Sequence, residues 1–173
     1  MSWFPLKNFT HYSLLKGFSK PEELAKKCAD NNYPACGICD YKTISGAVAF
    51  FKACKKVKIK PIIGCSFDKF QLFAKNKNGW LDLIELISSI DENGNVSDNI
   101  FDNILLRNNL IKLSNKINKD IPISYYVNKT DAKLHRILLC SEMRTTLPKI
   151  KKSFTKGIDC LLYTSDAADD TPC

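Results

Sequence analysis

Between Pro34 and Cys65 two short apolar runs flank one amphipathic stretch, and this alternation constrains the fold more than any other feature of the sequence. Pro34-Ala-Cys-Gly-Ile-Cys39 lies between breakers and has the pattern of a strand buried on both faces. After Thr43, a candidate N-cap, Ile44, Ala47, Val48, Phe51 and Cys54 recur at three and four residues, which predicts a helix to about Lys58. Ile59-Lys-Pro-Ile-Ile-Gly-Cys65 reads as the next buried strand. Strand, helix and strand in this order make a βαβ unit, whose right-handed crossover builds doubly wound sheets or (β/α) barrels. Both place their sites at strand carboxyl ends, where Asp40 stands.

The same alternation continues on either side. Ser19-Lys-Pro-Glu22 is a capping-box pattern, predicting a helix to about Asp30 with Leu24, Ala25, Cys28 and Ala29 buried and Asn31-Asn32 ending it. Phe70-Gln-Leu-Phe-Ala74 reads as a strand, turned by Asn76-Lys-Asn-Gly79 into a helix carrying Trp80, Leu83, Ile84, Leu86 and Ile87. Residues 91–99 are polar and read as a surface loop. A helix over 105–118, a strand over 121–127 and a helix capped at Thr130-Asp131 follow, the last burying Leu134, Ile137, Leu138 and His135. The whole is an α/β chain, and 173 residues at 45% apolar suffice for one core.

Charge and cysteine narrow the function classes. The formal charge is +8, and all but three of the 26 cations are Lys. Lysine is a hydrated point charge without the bidentate fork of Arg, so the excess permits polyanionic partners without specifying one. Lys52, Lys55, Lys56, Lys58 and Lys60, with Lys149, Lys151, Lys152 and Lys156, make weak, salt-sensitive DNA contact an expectation alongside a merely solvated surface. No apolar run is long enough for a transmembrane helix. The start lacks a basic and apolar leader pattern, so a cytoplasmic location is expected. The eight Cys are then expected as reduced core thiols: Cys36 and Cys39 form a lone CxxC without a second pair at zinc spacing. Residues 160–173 contain no Lys, Arg or Asn and three Asp, unlike all that precedes them. They have the look of translated adapter read-through, so the native frame is expected to end near residue 159; a native acidic tail is the alternative.

Three segments carry a family resemblance. They are Tyr12-Ser-Leu-Leu-Lys-Gly-Phe-Ser-Lys-Pro-Glu-Glu-Leu24, Ser45-Gly-Ala-Val-Ala-Phe-Phe-Lys-Ala-Cys-Lys-Lys-Val-Lys-Ile-Lys-Pro-Ile-Ile-Gly-Cys65 and Asn128-Lys-Thr-Asp-Ala-Lys-Leu-His-Arg-Ile-Leu-Leu-Cys140. In order and spacing they resemble the N-terminal PHP (polymerase and histidinol phosphatase) domain of bacterial and phage DNA polymerase III alpha subunits, over roughly residues 3–150. The resemblance implies a distorted (β/α)₇ barrel, incomplete here, with residues 1–159 as the PHP domain. It implies a parent chain that is a DNA-directed DNA polymerase, a nucleotidyltransferase acting in DNA replication. That activity belongs to a palm domain whose carboxylates hold Mg²⁺, and no segment here supplies one. Implied partners are the thumb and palm of the same chain and a proofreading exonuclease subunit.

Active PHP domains gather His, Asp and Glu around divalent metals at the barrel mouth. Carried onto this sequence, the alternating histidines of the opening strand fall on Pro5, Lys7 and Phe9, and the Asp-His pair on Asp40 and Tyr41. The following Glu falls on Ser66, and the late Asp-x-His on Ile123 and Tyr125. Only Asp40 retains a ligand type, so the expectation is a structural or docking domain with no metal, cofactor or catalytic residues. Asp40 would then cap a helix or order a loop. His11 is expected to be solvated or hydrogen-bonded, and His135 packed. A free-standing non-enzymatic PHP module binding an exonuclease or polymerase partner is the alternative, and a PHP phosphoesterase a more distant one. An incomplete barrel exposes sheet edges and apolar helix faces, so poor solubility is expected.

Overall fold

The computed structural model describes residues 4–114 and 121–149. Its elements are β1 (Lys7–Asn8), α1 (Pro21–Asp30), β2 (Ala35–Tyr41), α2 (Ala47–Lys56), β3 (Lys60–Ser66), β4 (Phe70–Ala74), α3 (Lys77–Ser88), α4 (Asp98–Leu106), β5 (Leu110–Ser114), β6 (Ile123–Ser124) and, after a 3₁₀ turn at Lys129–Asp131, α5 (Ala132–Glu142). The fold is α/β. β2 and β3 run parallel across α2, the crossover expected from the alternation, while β4 and β5 continue the sheet antiparallel. β1 pairs in parallel with β6 as a second, two-stranded sheet. The Gly37 backbone amide donates to the Pro5 carbonyl at 2.9 Å and the Asn8 side-chain amide to the Gly37 carbonyl at 2.8 Å, so β1 lies along β2. The strands thus form an arc β6-β1-β2-β3-β4-β5, an open part of a barrel among the described residues.

Two apolar layers hold the outer face of the arc. Leu24, Ala25 and Cys28 of α1 pack with Phe50 and Cys54 of α2 over Cys36 and Ile38 of β2. Leu83 and Leu86 of α3 pack with Ile104 of α4 over Cys65, Leu72 and Leu110.

Several local expectations are corrected. α1 starts at Pro21 with Lys20 as its N-cap and no side-chain cap. Ser19 is instead buried and bridged to Thr10, with its carbonyl accepting the His11 amide, so it belongs to the strand-side loop. Thr43 does not cap α2: its hydroxyl accepts from the Ser45 amide in a turn, and the helix begins three residues after Ile44, whose carbonyl accepts from Ala47. The buried stripe of α2 is Ala47, Phe50 and Cys54, leaving Val48 and Phe51 exposed.

The region after residue 91 differs most. α4 begins at Asp98, inside the expected loop, and ends at Leu106. Asn108, at a φ of +56°, reverses the chain, and Leu110–Ser114 pairs with β4 where a helix over 105–118 was expected; residues 115–118 lie outside the described ones. The 121–127 strand shrinks to Ile123–Ser124. α5 follows a cap built by Asn128 and Asp131, and its buried residue is His135, while Leu134 and Ile137 are 47% and 48% exposed. The expected tail at 160–173 and Lys151, Lys152 and Lys156 lie outside the described residues.

Candidate functional site

Strand alternation decides which side chains reach the inside of the arc. In the parallel register Cys39 stands beside Gly64 and Tyr41 beside Ser66, and in the antiparallel one Ser66 stands beside Gln71. Successive side chains point to opposite faces. Cys36, Ile38 and Asp40 therefore share the helix-covered face of β2, and Cys39 and Tyr41 the other. On β1 and β6, Lys7 is in register with Ile123, so their continuations bring Phe9 beside Tyr125. The rings of Phe9 and Tyr125 meet edge to face with centroids 5.4 Å apart.

These inward residues line a cavity of about 350 Å³ that includes Phe9, Tyr41, Ser66, Gln71 and Tyr125. Four of the positions to which the resemblance assigns metal ligands, Phe9, Ser66, Ile123 and Tyr125, line it, and Tyr41 makes a fifth. The cavity lies inside the arc, at the mouth of the partial barrel, and rings, an aliphatic chain and a hydroxyl stand at these five positions. Lys7 lies buried near Cys39, and burial pulls its ammonium below the usual lysine range, with Cys39 opposing.

Asp40 does not line this cavity. Its Oδ1 accepts from the Thr10 amide at 2.6 Å and the Ser13 hydroxyl at 2.6 Å, and its Oδ2 accepts from the Thr10 hydroxyl at 2.7 Å. The Ser13 hydroxyl oxygen also accepts from the Tyr41 amide at 2.9 Å. The carboxylate, only 1% exposed, thus ties the loop after β1 to the end of β2. Burial raises its pKa above the usual carboxylate value, against the opposing effect of the Ser13 and Thr10 hydrogen bonds and of His11. Gly46 lies so close that an added Cβ would sit 3.0 Å from Oδ2 and 2.8 Å from the Tyr12 ring, which is why the chain enters α2 through a glycine.

Two acids that the sequence reading did not single out stand at the cavity, and both are engaged. Asp68 accepts from the Tyr41 hydroxyl at 2.6 Å and pairs with Lys42 at 3.2 Å; the Tyr41 hydrogen bond first, then Lys42, hold its carboxyl below the usual range. Glu142 of α5 pairs with Lys16, whose ammonium also lies 4.7 Å from the centre of the Tyr41 ring. The contact joins residues 126 positions apart, so no local pattern announces it. His135 is fully buried, with Nε2 2.9 Å from the Lys16 carbonyl oxygen and its ring stacked 5.2 Å from that of Tyr125. His11 is exposed, with Nδ1 3.3 Å from the Ser19 carbonyl oxygen. The lone CxxC is split, because residues three apart on a strand face opposite ways: Cys36 is in the helix-covered layer and Cys39 is not.

A cluster of divalent metals requires several nitrogen and carboxylate donors converging on common points. Among the described residues no three His, Cys, Asp or Glu side chains gather closely enough to hold an ion. The mouth offers phenyl, phenol, aliphatic, amide and hydroxyl groups, its one imidazole among the described residues, His135, is stacked on Tyr125 with Nε2 at the Lys16 carbonyl, and its acids are turned to Lys and Tyr. This donor set does not fit the cluster that active members of the family carry.

A family model described as PHP domain matches residues 6–158. DNA polymerase III subunit alpha of Buchnera aphidicola subsp. Acyrthosiphon pisum is 37% identical over 99 residues, 51% of this chain and 8% of the relative. The protein of the same name from Chlamydia trachomatis serovar D is 38% identical over 65 residues, 38% of this chain and 5% of the relative. The chain thus spans less than a tenth of the length of these relatives. Among solved structures, an amidohydrolase from Chromobacterium violaceum with bound sulfate and no metal aligns over 50% of this chain and 32% of its own at 15% identity, with a TM-score of 0.39, a loose likeness on which nothing rests. The PHP match extends over most of the sequence, and the chain belongs to the PHP domain family.

Proposed function

We propose that this chain is the PHP region of a replicative DNA polymerase of the DNA polymerase III alpha type, serving as a structural and docking domain without metal-dependent phosphoesterase chemistry. The similarity to alpha subunits supports the replicative setting. One observation carries the loss of chemistry: Phe9, Tyr41, Ser66, Ile123 and Tyr125 occupy the mouth, while Asp40 spends both oxygens on Thr10 and Ser13. With Asp68 and Glu142 engaged by Tyr41, Lys42 and Lys16, and no cluster of donors among the described residues to polarise a phosphoester or to generate hydroxide, the remaining role is mechanical. It consists of holding a stable surface against the thumb and palm of the parent chain and against a proofreading exonuclease subunit. Exposed lysines on α2, Lys52, Lys55 and Lys56, add nonspecific attraction to DNA that salt removes.

The test is hydrolysis of a chromogenic phosphoester by the purified chain with added Zn²⁺, Mn²⁺ or Mg²⁺. We expect no turnover above that of the metal ions alone. Saturable turnover abolished by chelation and by Asp40→Asn would sink the proposal.

A further inference from the structure

The thiols of Cys28 and Cys36 lie 3.1 Å apart, sulfur to sulfur, in the layer between α1 and β2, and both residues are fully buried. No other described pair of cysteines has a sulfur contact of this kind, although Cys54 belongs to the same cluster. Only Asn31 to Pro34 separate α1 from β2, and the Tyr33 amide donates to the Cys28 carbonyl at 3.0 Å, so the backbone holds the two thiols together. A disulfide bond is about 2.05 Å long, so bonding requires the sulfurs to approach by about 1 Å.

We propose that Cys28 and Cys36 form a redox modification site that closes to a disulfide with a small-molecule disulfide as oxidant. The thiolate of one cysteine attacks a sulfur of the oxidant, forming a mixed disulfide and expelling one small thiolate. The thiolate of the other cysteine then attacks the protein sulfur of that mixed disulfide, forming the Cys28–Cys36 bond and expelling the second small thiolate. The two protons from the cysteines end on the two expelled thiolates, so two protein thiols are oxidised and one small disulfide is reduced. Burial raises the Cys36 thiol well above its usual value, which keeps the pair reduced until an oxidant reaches it during local opening of the α1 end. The bridge would staple α1 to β2, the strand that carries Asp40 and Tyr41. The CxxC that the sequence displays is not this site, since Cys36 and Cys39 face opposite ways.

The full chain is incubated under native conditions with excess oxidised glutathione, then denatured and its free thiols blocked with N-ethylmaleimide. After reduction, newly freed thiols are labelled with iodoacetamide and located by peptide mass spectrometry. We expect Cys28 and Cys36 to take the second label and, in the unreduced digest, to be joined to each other with no glutathione attached, whereas any of the other six of the eight cysteines that takes the second label carries glutathione before reduction. Oxidation in denaturing urea should scatter the second label among many cysteines. The first label on Cys28 and Cys36 after native oxidation, glutathione retained on either of them, or a bond between another pair such as Cys36 with Cys39 or Cys28 with Cys54, would overturn the proposal.

Discussion

Asp40 works as a structural carboxylate that ties the loop after β1 to the end of β2. Three donors converge on it, two of them from Thr10 and one from Ser13. Truncating it leaves buried donors without an acceptor, and Asp40→Ala should cost about 2–4 kcal/mol in urea unfolding. A catalytic remnant would behave otherwise, because removing an unpaired buried acid leaves stability unchanged or raises it. The pH dependence has a definite sign. Because burial raises the folded pKa of Asp40, the contribution of this group is fully present below its unfolded pKa of about 3.9 and is lost as pH rises through the higher folded value. Urea midpoints followed upward from pH 4 should therefore fall less in Asp40→Asn than in the parent chain; equal slopes would contradict the assignment. Phe9, Tyr41, Ser66, Ile123 and Tyr125, which the resemblance singled out, line one cavity, and a period of two is what puts side chains from several strands on that one face. The engagement of Asp68 and Glu142 was not legible in the sequence, because it depends on Lys16 and Lys42 arriving from distant segments.

At the scale of elements, the β2–α2–β3 unit was legible because its apolar runs are short and bounded by breakers. β5 was not. Leu110-Ile-Lys-Leu-Ser114 follows Leu105 and Leu106 closely enough to continue a helical period, and only the reversal at Asn108 separates them. Within α2 and α5 the helical period was right, and Ala47, Cys54 and His135 are buried as expected, but tertiary contact and not periodicity selects Phe50 over Phe51 and leaves Leu134 and Ile137 half-exposed. Leu134→Lys with Ile137→Lys should accordingly change stability by no more than about 0.5 kcal/mol, where burial of both would make the pair strongly destabilising. The joint between β1 and β2 is the opposite case. A Cβ on Gly37 would lie 2.1 Å from the Leu6 carbonyl oxygen, so Gly37→Ala must push the two strands apart. A loss of about 2–4 kcal/mol in thermal or urea unfolding is expected, and a neutral result would show that β1 does not lie against β2.

For the molecule as a whole, the arc from β6 to β5 remains open among the described residues, and large apolar side chains stand on its surface. Leu14 and Leu106 are each 81% exposed, Met143 57% and Phe51 42%. Such scattered apolar exposure on an open sheet favours self-association. Sedimentation velocity should show a weight-average mass that rises with concentration; a monodisperse monomer across the range would contradict this. The central claim is that the mouth has exchanged its ion-binding donors for rings, hydroxyl and aliphatic groups, and metal content tests it most directly. After purification without chelators and equilibration with Zn²⁺, Mn²⁺ and Fe²⁺, elemental analysis should find well under one tightly held ion per chain. About two or three stoichiometric ions, lost together on chelation, would contradict it.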